Sequence, residues 1–159
     1  PVSVRQLKAA ETCPSIHVIS VEPGEFIDGL GKLSRLRVLT REVADLIARG
    51  ENVLITTSFS RYVPSMEGLS ARLLARVVAS TVKDFELSGL FLTGGDVARE
   101  TCRALGVSGI RILKEIEPGV IYGEAISVAA GDVRIITKAG GFGSDRIIVD
   151  CIRYFRGED

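Results

Sequence analysis

The chain has 159 residues, 46% hydrophobic and 25% charged, the composition of a globular domain built on one core. Lys and Arg number 20 and Asp and Glu number 20, a formal net charge of zero, which excludes the broad positive footprint of a general nucleic-acid binder but not a local phosphate site. Charges break every apolar run before the ~18 residues a membrane span requires, and the opening Pro1–Gln6 lacks the charged region and apolar core of a signal peptide.

Ile16-His17-Val18-Ile19-Ser20-Val21 is a β-branched run ended by Pro23-Gly24 and predicts a strand and turn. From Lys32 to Arg49, Leu33, Leu36, Val43, Leu46 and Ile47 recur at helical spacing, with Gly50 as the stop. Asn52–Thr57 predicts a second strand leading into the polar loop Ser58-Phe59-Ser60-Arg61, and Ser70–Phe85 a second helix with Leu73, Leu74, Val77 and Val78 inward. Gly89–Thr93 is apolar until its end, the pattern of a strand covered on both faces. Asp96 is placed to cap a helix that runs to Leu105 and stops at Gly106. Beyond it, Ile110–Ile116 and Val120–Val128 predict a hairpin around Glu117-Pro118-Gly119, Val133–Thr137 a further strand, and Ser144–Phe155 a last helix.

Strand and helix alternate through the first two thirds, which predicts an α/β three-layer sandwich with a mostly parallel sheet and glycine-rich loops at strand ends. The hairpin favours a mixed sheet over a purely parallel one. The one Met is Met66, so the chain reads as a piece of a longer protein.

Two loops carry the chemistry. Thr93-Gly94-Gly95-Asp96-Val97-Ala98 and Lys138-Ala139-Gly140-Gly141-Phe142-Gly143-Ser144-Asp145 each lie between a predicted strand and a predicted helix, the position at which α/β proteins bind ligands. A helix N-terminus there offers free N–H groups and partial positive charge to a phosphate, and glycine lets the backbone approach the anion. The first loop serves equally well as a tight turn in which Asp96 caps the helix or reaches a magnesium ion through water. The second is more specific: three glycines in four residues, Lys138 ahead of them and Ser144 as a helix cap favour an anion cradle over a purely structural loop. Its lysine precedes the glycines, so it is neither a Walker A loop nor a dinucleotide G-x-G-x-x-G turn.

Elsewhere the bland readings prevail. Cys13, Cys102 and Cys151 are far apart with no C-x-x-C pair and only one histidine in the chain, so free thiols in a reducing compartment are favoured over zinc. His17 reads as a packed or edge-strand residue, Ser58–Arg61 as a polar loop, and Glu115 and Glu117 as one face of a solvated hairpin tip.

Taken together, the Thr93–Ala98 loop, Cys102–Val107, Glu115–Val120 and Lys138–Gly143, in that order and spacing, resemble the C-terminal nucleotide-binding domain of the four-carbon acid sugar kinases over essentially the whole chain. The resemblance implies a two-domain cytoplasmic enzyme that uses ATP and Mg²⁺ to phosphorylate the terminal hydroxyl of a tetronate-type acid. In that family the sugar acid binds to an N-terminal domain, which this sequence does not contain, and the catalytic base is expected there. Residues 1–159 are then a single nucleotide-binding domain, inactive alone. By position, nucleotide contacts carry over to Gly94, Gly95, Asp96 and Val97 and to a glycine at or near Gly140; Lys138, Gly141 and Gly143 are added from the chemistry of the same loop, and no residue is assigned as a direct metal ligand. Family members commonly have Thr where this chain has Val97, so only a backbone contact survives there. Pro1–Gln6 looks like the segment that follows a Gly-Ser-x-Ser motif of the nucleotide site. The competing expectation, from the loops alone, is a non-catalytic module that senses an anionic metabolite or nucleotide.

Overall fold

The computed structural model describes residues 2–22, 24, 29–57, 67–127 and 133–158. Its elements, in chain order, are α1 (Val2–Glu11), β1 (Ile16–Ser20), α2 (Gly29–Ala48), β2 (Asn52–Thr56), α3 (Glu67–Asp84), β3 (Leu90–Thr93), α4 (Gly95–Ala104), β4 (Val107–Glu117), β5 (Val120–Ser127), β6 (Arg134–Lys138) and α5 (Ile147–Phe155). Every predicted element is present. α1 was not anticipated: Gln6, Leu7 and Ala10 form its buried side at helical spacing, but the glutamine interrupts the apolar pattern that marks the other helices.

The strands form two sheets, a parallel pair β1-β2 and a four-stranded sheet ordered β3-β6-β5-β4. In the second, β3 and β6 are parallel while β5 is antiparallel to both β6 and β4. The expected α/β arrangement with a mixed sheet is thus observed, the hairpin β4-β5 supplying the antiparallel part.

Helices cover both faces of the mixed sheet. Neighbouring residues on β6 show why, since side chains alternate across a strand. Ile135 packs with Leu90, Leu92, Leu105 and Ala125, against which Val78 and Val82 of α3 and Ala98 and Cys102 of α4 also lie. Ile136 packs on the other side with Leu7 and Ala10 of α1 and Ile147, Ile148 and Cys151 of α5. Both isoleucines are fully buried, and burying such a side chain contributes about 1.5–3 kcal/mol. A third cluster joins Leu39, Val43 and Leu46 of α2 to Leu73, Leu74 and Val77 of α3 over Ile19. Leu33, expected in the α2 stripe, is instead 57% exposed and Leu39 takes the inward position.

Candidate functional site

The site is set by one register. β3 and β6 run side by side with Thr93 opposite Lys138, so both glycine loops leave the same end of the sheet as adjacent walls. The walls are bonded to each other: the Gly94 N–H donates to the Lys138 carbonyl at 3.1 Å, and Lys138 Nζ to Thr93 Oγ1 at 3.1 Å. β5 is antiparallel to β6 with Val120 opposite Lys138, which brings the β4-β5 turn to this same end.

In the first loop Gly94 is the N-cap of α4, with φ 91°, a conformation that favours glycine. Asp96 does not cap the helix as expected. It lies inside the first turn, makes no cap hydrogen bond, and pairs with Arg99 at 2.9 Å on the surface. The amides of Gly95, Asp96 and Val97 belong to the first turn of a helix and lack intrahelical partners. A Cβ added at Gly94 or Gly95 would meet nothing within 4 Å, so the space before these amides is open. The Val97 side chain packs on the Val43–Val77 cluster, which leaves only its backbone amide at the open first turn of α4.

The second loop is pinned from beneath through its carbonyl oxygens. Lys138 is 4% exposed and its ammonium donates to Ala139 O at 3.0 Å and Gly140 O at 3.2 Å besides Thr93 Oγ1. All three of its donors are therefore used, and burial pushes its pKa below the ordinary lysine value. Its charge lies under the loop instead of projecting from it. Ser3 Oγ also donates to Gly140 O, at 2.8 Å. Gln6 Nε2 reaches Phe142 O, Gly143 O and Ser144 O at 2.9, 3.0 and 3.0 Å.

A trans peptide points its N–H opposite to its carbonyl, and the described chain has no cis bond. Carbonyls held inward at Ala139, Gly140 and Phe142 turn the next amides, those of Gly140, Gly141 and Gly143, outward. These three N–H groups have no protein partner among the described residues. Together with the first turn of α4 they make two rows of unsatisfied donors over a buried lysine, an arrangement that binds anionic oxygens.

Ser144 behaves differently from expectation. α5 begins only at Ile147, with Arg146 at its N-cap position, so Ser144 is not the helix cap. Its N–H and Oγ instead donate to Glu117 Oε2 and Oε1 at 2.6 and 2.8 Å. Glu117 is thus not a solvated tip residue, and it does not work together with Glu115, whose carboxylate accepts from the Gly119 N–H at 2.9 Å. The strand slips register between the two glutamates, which breaks the simple alternation assumed from sequence. Phe142, 51% exposed, lies against Gly119: a Cβ there would stand 2.6 Å from its ring.

The structure therefore brings together Gly94, Gly95, Asp96, Val97, Lys138, Gly140, Gly141 and Gly143. Sequence reasoning missed Ser3, Gln6, Glu117 and Phe142 as parts of the same assembly. Thr56 ends β2 and is buried, while Ser58–Arg61 lies outside the described residues. His17 is exposed on β1. Among the described residues there is no group of three or more His, Cys, Asp or Glu suited to a metal, and no helix long and apolar enough to cross a membrane. A cavity of about 440 Å³ lies between β2 and β3, walled by Val53, Ile55, Leu90, Leu92 and Val77. Its lining is mainly apolar, with Glu51, Glu86 and Arg156 as its charged members, and it includes neither Gly94, Gly95 nor any residue of the Lys138–Gly143 loop, so the amide rows, not this cavity, form the candidate site.

Glycine loops on the carboxyl ends of adjacent parallel strands are the position at which α/β domains bind anionic ligands. Residues 1–148 match the family model described as a nucleotide-binding C-terminal domain, and the chain belongs to that family. It is 42% identical over 88 residues to a D-threonate kinase of Salmonella typhimurium (55% of this chain, 21% of that protein). It is 29% identical to a D-erythronate kinase of Heliobacterium modesticaldum (94% of this chain, 38% of that protein), and 34% identical to a D-threonate kinase of Cupriavidus necator (91% and 34%). The chain thus spans well under half the length of these curated relatives. A crystal structure of a domain of unknown function from Bordetella bronchiseptica, with bound citrate, superposes with a TM-score of 0.77 at 23% identity, covering 98% of this chain and 38% of that one; that likeness concerns the fold alone.

Proposed function

We propose that this chain is the ATP-binding domain of a kinase that phosphorylates the terminal hydroxyl of a four-carbon sugar acid in the cytoplasm. The observation that carries the reading is the two sets of unpartnered amides, those of Gly95, Asp96 and Val97 and those of Gly140, Gly141 and Gly143, held side by side by the Thr93–Lys138 register. The names of the relatives supply the substrate class: D-threonate and D-erythronate kinases.

Phosphoryl transfer asks a protein mainly for positioning and charge stabilisation, and these residues suit both tasks. The amides of Gly95, Asp96 and Val97 and of Gly140, Gly141 and Gly143 would hold phosphate oxygens, and the buried Lys138 charge favours an anion above it. Gly94, Gly95 and Gly141 leave room for close approach, since no atom lies within 4 Å of a Cβ built on any of them. Mg²⁺ in kinase sites is held largely by phosphates and water with one or two carboxylates. Asp96, exposed at the first turn of α4, is the carboxylate that fits such a water-mediated role. The sugar acid and the catalytic base are assigned to a portion of the enzyme outside this chain, which acts as a single nucleotide-binding domain.

Calorimetric titration with ADP and ATP, with and without Mg²⁺, tests the nucleotide assignment; no binding by either the 159-residue chain or a longer protein containing it would sink it. Turnover of four-carbon acids by that longer protein tests the kinase. Binding without turnover would instead favour a nucleotide-sensing module.

A further inference from the structure

The second loop poses a physical problem that its neighbours solve. Gly140, Gly141 and Gly143 leave this stretch with unusual backbone freedom, and a peptide plane that flips exchanges an outward N–H for an outward carbonyl. Such a loop presents amides to an anion only if something holds its carbonyls on the other side. α1 does this with two side chains one turn apart on one face, Ser3 at Gly140 O and Gln6 at Phe142 O, Gly143 O and Ser144 O.

We infer that Gln6 is a positioning residue for nucleotide binding: its buried carboxamide fixes the peptide planes of the Phe142–Ser144 segment so that the Gly143 amide faces the phosphates. The inference rests on the nucleotide reading above and deepens it. Gln6 is 1% exposed and its carboxamide nitrogen bonds to backbone carbonyls of the loop, so its influence passes through the backbone. Its NH₂ has two hydrogens to share among three carbonyls, which explains three bonds of nearly equal length converging on one nitrogen. The other residues on this side of α1, Leu7 and Ala10, are apolar and pack into the core around Ile136 and Ile147. A hydrocarbon at position 6 would serve that packing equally well, so the carboxamide is there for the loop. Buried carbonyls seek a partner, and without Gln6 the Phe142–Gly143 peptide has reason to rotate toward solvent.

The test compares wild type with Gln6→Met, which keeps the side-chain length and removes the donor, and with Leu7→Val, a control that weakens α1 packing without touching the loop. Well below the unfolding temperature, Gln6→Met is expected to bind ADP about tenfold more weakly, the worth of roughly one lost hydrogen bond, while Leu7→Val binds as wild type does. A crystal structure of Gln6→Met is expected to show the Phe142–Gly143 peptide reoriented. Equal ADP affinity in Gln6→Met and wild type, or weakening by Leu7→Val to the same extent, overturns the inference. If wild type itself binds no ADP, the nucleotide reading fails, and the peptide orientation in Gln6→Met still decides whether Gln6 positions the loop. Should Gln6→Met not fold, Gln6→Asn, which withdraws the amide by one carbon, is measured in the same way.

Discussion

Lys138 Nζ and Thr93 Oγ1 lie 3.1 Å apart at the ends of two adjacent parallel strands, and this bond joins the roots of both glycine loops. Under the proposed function, a lysine in that place would act from beneath the phosphates, through the field of its charge and through the carbonyls it holds. It resembles a strut more than a finger. Among the described residues no carboxylate is bonded to it, and three neutral oxygens accept its hydrogens.

Replacing Lys138 with Met removes the donor that bonds all three of those oxygens. The expected loss is about 2–3 kcal/mol of folding stability, the range for hydrogen bonds to a charged group, read from urea denaturation, together with weaker ADP binding. A Lys138→Met protein as stable as wild type would show that the ammonium contributes nothing net.

The same lysine predicts a pH dependence. Burial lowers its folded pKa below the ordinary 10.5, so between the two values the unfolded chain holds more protons than the folded one. Stability from this group therefore rises with pH through that window, and its burial penalty is fully felt below it. The unfolding free energy of wild type minus that of Lys138→Met should climb as pH approaches 10.5. A flat or falling difference contradicts the buried, charged lysine.

Gly141 and Gly143 should separate binding from folding. Gly143 has φ 83°, and a Cβ there would lie 3.1 Å from Ile147, so Gly143→Ala should cost about 1–2 kcal/mol from the backbone alone. Gly141 has neither a positive φ nor any neighbour within 4 Å. Gly141→Ala should leave stability within about 0.5 kcal/mol, as at an ordinary surface site, yet reduce ADP affinity by placing a methyl before the amides. Thermal unfolding and calorimetry on the pair decide the matter; equal affinity in Gly141→Ala and wild type would place the ligand elsewhere.

Glu117→Gln weakens the bonds to the Ser144 N–H and Oγ and should cost about 1 kcal/mol. Glu115→Gln touches only the hairpin turn and should leave ADP binding unchanged, whereas Glu117→Gln should lower it by loosening the loop. Identical affinities in the two variants would show that the hairpin is not coupled to the site.

The three thiols should react in a fixed order. A hydrogen bond from Ser15 lowers the pKa of Cys13, desolvation raises that of Cys102, and burial together with Asp150 and Glu117 pushes Cys151 up to about 12. Iodoacetamide followed by mass spectrometry should label Cys13 first and Cys151 only on unfolding. Early labelling of Cys151 would mean that the α1–α5 side of the core opens in the native state.

Local signals carried much of this molecule. Apolar patterning located α2, α3, α5 and all six strands, because each buries a regular stripe or face, while start and stop signals located α4. The glycine loops were legible for the same reason, as interruptions between a strand and a helix. Asp96 and Ser144 were misplaced as caps because several residues near a helix start can fill that role, and the backbone chooses among them.

The α/β class, the two loops and the resemblance to a nucleotide-binding domain are legible along the chain alone, since they depend on residues close together in it. That Thr93 meets Lys138, that Gln6 grips carbonyls 136 to 138 residues away, and that Glu117 docks on Ser144 emerges from the folded arrangement. Those pairings depend on strand order and helix docking, which arise from the whole core, and no spacing along the chain encodes them. They turn two separate glycine turns into one wall of outward amides with a charged strut beneath.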